Sequence, residues 1–256
     1  RYQLMYNDFL IVGPKADHDV AYVTDVEGSW DRLASFLAQN PLVSLDDTGR
    51  IVVKPGATFV FGGDAIDRGP WSRKIVRTLL EVKERQPDQV VLLGGNRDLN
   101  KLRLARELTG FPTKRAPEEI QRAPRAALLK WIFQHTMGAA EAFEHRRTEL
   151  RAERGAREHG DVSDEDVAQS YLDDLAPDGD LARYLAHGQL AFRSGKTLFV
   201  HGGLAEEALV VVPGFADVPL ARFDVDDWAR RLHEFYAHQM AAFRARAIES
   251  DGRPAW

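Results

Sequence analysis

The sequence predicts an α/β fold in which largely covered strands alternate with helices. Three apolar runs, at residues 20–26, 58–62 and 89–93, have the length and composition of buried strands. Each run ends close to a glycine and a polar or acidic residue. Functional groups in folds of this class gather outside the carboxyl ends of the strands, so these ends are where we search for a site.

Amphipathic helices are predicted between these strands. The first begins after Ser29, a residue suited to cap a helix N-terminus, and ends at Asn40-Pro41. A short strand at residues 51–53 is expected at a sheet edge, and a second helix follows the strand at 58–62. The apolar positions that define the two helices are Trp30, Leu33, Phe36 and Leu37 in the first and Ile75, Val76, Leu79, Leu80 and Val82 in the second.

The segment from residue 99 to about residue 186 looks helical throughout. We predict one domain over residues 1–256, with a helical insertion or cap at residues 111–188. Leucines at 99, 102, 104 and 108 indicate a single helix near its start. Residues 141–158 are almost entirely charged. A solvated helix face with ion pairs is the favoured interpretation, and a lid that contributes arginines to substrate binding is the alternative.

A hairpin and a final helix complete the pattern. Residues 189–193 and 196–200 are predicted to pair around Ser194-Gly195. The amphipathic helix that follows carries His233 and His238, which we expect to be structural or exposed.

Composition narrows the classes of partner. The chain has 256 residues, with 34 Lys and Arg against 39 Asp and Glu, so its formal charge is −5 and nucleic-acid binding is not expected. No apolar run approaches the ~20 residues of a membrane span. The chain contains no cysteine, which rules out thiolate metal sites and fits a reducing compartment. We therefore expect a cytoplasmic protein, and a local positive site could still bind a small anion.

Side chains with metal-binding chemistry follow four predicted strands. Asp25 and Glu27 lie two apart on a segment expected to be extended, so both are predicted to point the same way. Asp64, Asn96 and His201 follow three other strands. Any one of these residues alone is more simply a helix cap or a turn residue, but four such strand ends in one sequence are hard to explain as turns. Oxygen ligands with one imidazole suit Mg²⁺, Mn²⁺ or a mixed iron or zinc pair.

These segments resemble the phosphoprotein phosphatase branch of the calcineurin-like metallophosphoesterases, which also contains the bis(nucleosyl) tetraphosphatases. The resemblance covers roughly residues 20–110 and 189–205. It implies a sandwich of two β-sheets flanked by helices, with two divalent metal ions at the strand ends. Four motifs carry it: GDAIDRG at 63–69 matches GDxxDRG, GNRD at 95–98 is similar to GNH[DE], HGG stands at 201–203, and DVEG at 25–28 stands where the branch has DxHG.

The resemblance also implies roles for individual residues. Asp25 would bind the first ion, Asp64 would bridge both ions, and Asn96 and His201 would bind the second. Arg68 would clamp a phosphate oxygen of a phosphorylated small molecule or nucleotide. A hydroxide between the two ions, with Mn²⁺ or Mg²⁺ favoured and iron or zinc open, would displace the leaving group in line.

Three departures from the motifs matter. Glu27 replaces the histidine of DxHG, and as a carboxylate it is either still a ligand or an acid beside the ligands. Arg97 replaces the histidine that is thought to protonate the leaving group; arginine cannot do this near neutral pH but can stabilise negative charge and pair with Asp67. No GH[ST]-type histidine follows His201, and since the chain begins at Arg1, we expect a truncated C-terminus.

The leading interpretation is a hydrolase of phosphomonoester or phosphoanhydride bonds, in which Asp67, Arg68 and Arg97 surround the phosphoryl group. The alternative is a scaffold or phosphate-ligand-binding protein that has lost turnover, which the replaced and absent histidines favour. A regulator that binds RNA or protein through the charged helical segment is a third possibility, and the acidic net charge argues against RNA.

Overall fold

A parallel sheet forms the centre of the molecule. The computed structural model describes residues 19–111, 114–155, 161–248, 250, 253–254 and 256. Within this part, two further sheets are antiparallel and have two strands each. The parallel sheet comprises, in spatial order, β1 (Val20–Val23), β4 (Thr58–Phe61), β5 (Val90–Leu93) and β6 (Gly188–Gln189); the others pair β2 (Val43–Leu45) with β3 (Ile51–Val53), and β7 (Ala191–Ser194) with β8 (Thr197–Val200).

Both faces of the parallel sheet are covered, because successive strand residues point to opposite sides. Phe59 and Phe61 of β4 lie in the main core with the helices. Val60 faces the other way, where Phe192 and Phe199 of the β7–β8 hairpin pack against it. The predicted α/β fold, with helices flanking sheets, is therefore confirmed.

Helices connect and cover the strands, and two of them set the positions of the strand-end loops. Helix α1 (Trp30–Gln39) begins at Ser29, whose side chain accepts a hydrogen bond from the backbone N–H of Arg32, so the predicted cap is confirmed. Helix α2 (Ser72–Arg85) follows the GDAIDRG segment. The others are α3 (Asn96–Asn100), α4 (Leu104–Glu107), α5 (Glu118–Gln121), α6 (Arg125–His135), α7 (Ala142–Arg154), α8 (Asp164–Asp174), α9 (Asp180–Ala186), α10 (Glu206–Val210) and α11 (Val225–Arg244).

One prediction about local structure is corrected here, and another is confirmed. Residues 99–108 do not form one helix: a 3₁₀ turn at Lys101–Arg103 separates α3 from α4, and it carries Lys101, whose side chain is buried. A buried lysine needs an acidic partner, which it finds in Asp67, and this tertiary contact is invisible to helix periodicity. Strand β3 pairs with β2 in a separate sheet of two strands, so the predicted position at a sheet edge is confirmed.

The charged helix α7 has the predicted solvated face with ion pairs, such as Arg151 with Asp161, but it also buries charged side chains, which the pattern did not indicate. Arg146 and Glu149 are almost completely buried. The guanidinium of Arg146 donates to Asp174 at 2.6 Å and lies 4.0 Å from the centre of the Tyr171 ring. Removing one partner of such a buried pair typically costs ~3–5 kcal/mol, so these charges hold the helices together.

Glu149 ties this helical segment to the start of α2. Trp71, at the N-terminus of α2, makes no side-chain capping bond. The Glu149 carboxylate takes over this function, accepting from the backbone N–H groups of Arg73 at 3.0 Å and Lys74 at 2.8 Å. Burial raises the pKa of Glu149, while the Arg146 guanidinium opposes that shift. A carboxylate here satisfies unpaired helix donors and complements the positive end of the helix dipole.

Replacing Glu149 with glutamine is expected to lower the free energy of unfolding by about 1–3 kcal/mol, because the amide places its NH₂ group against a backbone donor. Urea unfolding at neutral pH measures this loss. Glu118→Gln is the matched control, since Glu118 pairs with Arg122 on the surface of α5, where ion pairs are worth about 0–1 kcal/mol. Equal losses in the two variants would contradict the capping role.

Among the described residues, no helix combines the length and the apolar character that crossing a membrane requires.

Candidate metal centre

The acidic residues of the motifs lie in strained loops beyond the strand ends. Asp25, Glu27, Asp64 and Asp67 have φ angles of 54°, 49°, 56° and 111°. Such a backbone costs of order ~1–3 kcal/mol per non-glycine residue and persists only where its surroundings fix it. Here the loops fix each other: Asp25 N–H donates to Gly63 O at 3.0 Å and Glu27 N–H donates to Asp64 O at 2.9 Å.

This geometry corrects the expectation that the segment carrying Asp25 and Glu27 is extended. Strand β1 ends at Val23 rather than at residue 26, so neither residue is extended. Asp25 is exposed and Glu27 is buried. The period of two applies only while the backbone stays in the β region, and here the chain leaves that region to bond with the Asp64 loop.

Gly95 allows two of these loops to touch. A Cβ atom at this position would lie 2.1 Å from the backbone N and 2.3 Å from Oδ1 of Asp64. With only hydrogen there, the backbone N–H of Arg97 reaches Asp64 Oδ1 at 2.9 Å. The glycine of the GNRD segment therefore sets the distance between the Asp64 carboxylate and the residues that follow β5.

Four of the five predicted metal ligands lie together. Asp25, Asp64 and His201 each offer a ligand atom, and these three atoms lie within 4.8 Å of one another. The side-chain oxygen of Asn96 lies 2.9 Å from Nε2 of His201, and Oδ1 of Asp64 lies 3.3 Å from the same nitrogen. Asp25, Asp64 and Asn96 follow β1, β4 and β5, which are neighbours in the parallel sheet. His201 follows β8 of the hairpin that packs against this sheet.

The donor set fits a divalent metal ion. His201 Nδ1 lies 2.8 Å from the carbonyl oxygen of Gly62, an acceptor, which places the hydrogen on Nδ1 and leaves a lone pair on Nε2. That lone pair then faces the oxygens of Asn96 and Asp64, and no donor lies among the three atoms. Positive charge at this point removes the repulsion, and a cation with oxygen and nitrogen ligands provides it.

Burial shapes the charges around this cluster. The pKa of Asp64 is raised, chiefly by burial, while the backbone N–H of Arg97 opposes that shift. Burial raises the pKa of Asp98 to about 8, and the neighbouring Asp64 charge adds to it. Asp98 was not among the predicted site residues; its carboxylate accepts from the Ala65 N–H at 3.0 Å and supports the loop beneath Asp64.

Glu27, the fifth predicted ligand, faces arginines. Its Oε1 lies 2.8 Å from Nε of Arg97, and its Oε2 lies 3.4 Å from Arg68 and 3.8 Å from Arg32. Nε of Arg97 also lies 3.6 Å from Oδ2 of Asp64. The Arg68 and Arg32 side chains are 61% and 64% exposed, so both remain open to an anionic ligand.

The predicted pairing of Arg97 with Asp67 is present, although Asp67 has a closer partner. Nη1 of Arg97 lies 3.7 Å from the Asp67 carboxylate, whereas Nζ of Lys101 lies 2.7 Å from it. Burial lowers the pKa of Lys101, and the Asp67 charge opposes that shift. Sequence reasoning missed Lys101 and Arg32, because neither stands in a motif. Their spacing was the available signal: Lys101 lies one helical turn after Arg97, and Arg32 lies in the first turn after the DVEG segment.

A family model described as calcineurin-like phosphoesterase matches residues 18–239. No curated protein sequence matches the chain. One similar solved structure is a cold-active protein-tyrosine phosphatase of a psychrophilic Shewanella species, with 15% identity, a TM-score of 0.43, and coverage of 96% of this chain and 60% of that one.

A second similar structure is a protein serine/threonine phosphatase from Saccharomyces cerevisiae, with 18% identity, a TM-score of 0.37, and coverage of 83% of this chain and 48% of that one. The present chain thus covers 60% or less of the length of either structure.

Asp64→Asn is expected to abolish most Mn²⁺ binding, because it removes the charged carboxylate that lies nearest to the other ligands. Calorimetric titration of the metal-free protein measures the change. Asp88→Asn, at an exposed position before β5, is the matched control and should leave Mn²⁺ affinity unchanged. Full binding in the Asp64 variant would show that the cluster is not the metal site.

Proposed function

We propose that the chain, which belongs to the calcineurin-like phosphoesterase family, is a metal-dependent hydrolase of phosphate ester or phosphoanhydride bonds. The observation that carries the proposal is the cluster of Asp25, Asp64 and His201 with ligand atoms within 4.8 Å. Two exposed arginines, Arg32 and Arg68, lie beside it. A divalent ion next to exposed guanidinium groups suits a phosphoryl group, which carries charge on several oxygens.

One group of residues would hold an ion, and another would bind the substrate. Asp25, Asp64, Asn96 and His201 would hold a divalent ion, which when bound supplies a hydroxide nucleophile at neutral pH and neutralises charge on the phosphoryl oxygens. The Gly62 carbonyl orients the His201 ring. Arg68 and Arg32 bind phosphoryl oxygens and orient the phosphorus for in-line displacement.

The number of ions depends on Glu27. The family resemblance implies two ions, and a second one would require Glu27 as a ligand. The nearest charged group to this carboxylate is the Arg97 guanidinium at 2.8 Å. Three oxygen ligands and one imidazole favour Mn²⁺ or Mg²⁺ in function, although iron or zinc would also fit such a set.

The substrate class follows from the same charges. Exposed arginines favour a phosphorylated small molecule or a nucleotide, and the formal charge of −5 disfavours nucleic acid. We extend the proposal to a cytoplasmic location, which the cysteine-free sequence supports.

One observation favours a second function. Arg97 stands where the related phosphatases have a proton-donating histidine, and arginine keeps its proton at neutral pH. A protein that binds phosphate ligands through this centre without turning them over is consistent with that replacement. Turnover of an activated substrate distinguishes the two functions, because such a substrate needs no proton donor.

The first test is hydrolysis of p-nitrophenyl phosphate. Activity is expected in Mn²⁺, loss of activity in excess chelator, and recovery when Mn²⁺ is restored. Asp64→Asn serves as the inactive reference and Asp88→Asn as the active one. Phosphate binding without hydrolysis under all metal conditions would favour the ligand-binding alternative.

The second test concerns the leaving group. General acid catalysis is typically worth ~10²–10⁴-fold, and Arg97 cannot supply it. We therefore expect kcat/KM to fall steeply as the leaving-group pKa rises across a series of aryl and alkyl phosphates. Phosphoanhydrides such as nucleotides and dinucleoside polyphosphates should rank above phosphoserine peptides. A flat series, or efficient turnover of phosphoserine, would mean that another group donates the proton.

A further inference from the structure

Glu27 is already paired with positively charged side chains. Its carboxylate is the shared partner of three guanidinium groups, those of Arg97, Arg68 and Arg32, at 2.8, 3.4 and 3.8 Å. The Glu27 side chain is only 10% exposed. Arg97 also lies 3.6 Å from Asp64 and 3.7 Å from Asp67, so a divalent ion brought to the Glu27 oxygens would compete with a guanidinium that already pairs with the carboxylates of this centre.

Arg97 also takes the space that a bridging ion would need. Its Nε lies 2.8 Å from Glu27 and 3.6 Å from Asp64, so the guanidinium stands between the two carboxylates. A Mg²⁺ ion binds carboxylate oxygens at about 2.0–2.1 Å, which is shorter than either of these contacts. An ion joining Glu27 to Asp64 would therefore have to displace the Arg97 side chain.

The surroundings hold Arg97 in this position. The ammonium of Lys101 donates to the backbone carbonyl of Arg97 at 3.2 Å and to the Asp67 carboxylate at 2.7 Å. Asp67 in turn lies 3.7 Å from Nη1 of Arg97. The backbone N–H of Arg97 is bound to Asp64, so hydrogen bonds fix the backbone of the residue, while ion pairs with Glu27, Asp64 and Asp67 hold its guanidinium.

We propose that the centre holds a single divalent ion, bound by Asp25, Asp64, Asn96 and His201, and that the Arg97 guanidinium supplies the second positive charge beside Asp64. Glu27 is then a positioning residue that orients arginines rather than a metal ligand. This inference rests on the proposed function, because it concerns the same centre. A fixed guanidinium next to one ion neutralises two sides of a phosphoryl group, and no chelator removes it.

The experiment is a metal count on the wild-type chain. Metal-free protein is titrated with Mn²⁺ by calorimetry, the bound metal is measured by elemental analysis after dialysis, and the loaded protein is examined by electron paramagnetic resonance. We expect one ion per chain and the spectrum of an isolated Mn²⁺ ion. Two ions with the signature of a spin-coupled pair would overturn the inference and leave the proposed phosphoesterase function standing. No bound ion would overturn both.

A double variant tests the cause. Glu27→His with Arg97→His removes the Arg97 guanidinium and places imidazole on both sides of Asp64. The number of Mn²⁺ ions bound per chain should therefore rise from one to two. The matched control, Glu119→His with Arg222→His, adds two histidines at exposed positions away from the centre and should remain at one. If the double variant also binds a single ion while far-ultraviolet circular dichroism shows it folded, Glu27 and Arg97 do not determine how many ions bind, and the inference fails.

Discussion

The contact between the Asp64 carboxylate and the backbone of the neighbouring loops is the interaction on which the site depends. Asp64 accepts from the Arg97 N–H at 2.9 Å, and its own carbonyl accepts from the Glu27 N–H at 2.9 Å. The first of these bonds requires loops packed closely enough that only a glycine fits at position 95. The strained backbone at four acidic residues is the cost of this packing, and the cross-loop hydrogen bonds offset it.

Buried ion pairs are the second feature that fixes this structure. Lys101 and Asp67 lie beneath the site, while Arg146 and Asp174 join the helices that follow. Glu149 connects the two regions, because it belongs to the helical segment and caps the helix that starts after the GDAIDRG loop. A buried ion must find its partner or lose several kcal/mol, so these contacts fix positions even where they add little net stability.

The two substitutions in the motifs are physically coupled. Taken separately, Glu27 looks like a hard metal ligand and Arg97 like a lost proton donor. In the structure they form an ion pair at 2.8 Å, so each substitution accounts for the other. The Glu27 carboxylate attracts the Arg97 guanidinium, and the guanidinium in turn pairs with the carboxylate oxygens that a metal ion would need. This coupling connects the expected dependence on the leaving group with the proposed single ion.

The sequence by itself determined the α/β class, the strand ends at which the candidate site lies, and four side chains that converge there. Apolar period is a local property, and the neighbouring parallel strands β1, β4 and β5 bring their carboxyl ends together, whereas His201 follows β8 of the hairpin that packs on this sheet. The tertiary structure decided the environment of Glu27, the burial of Lys101 and Arg146, and the capping role of Glu149. The reason is that the pattern of apolar and charged residues along the sequence places every charged side chain in solvent. Whether it is buried depends on a partner far along the chain, such as Asp67 for Lys101 or Asp174 for Arg146, which only the folded arrangement supplies.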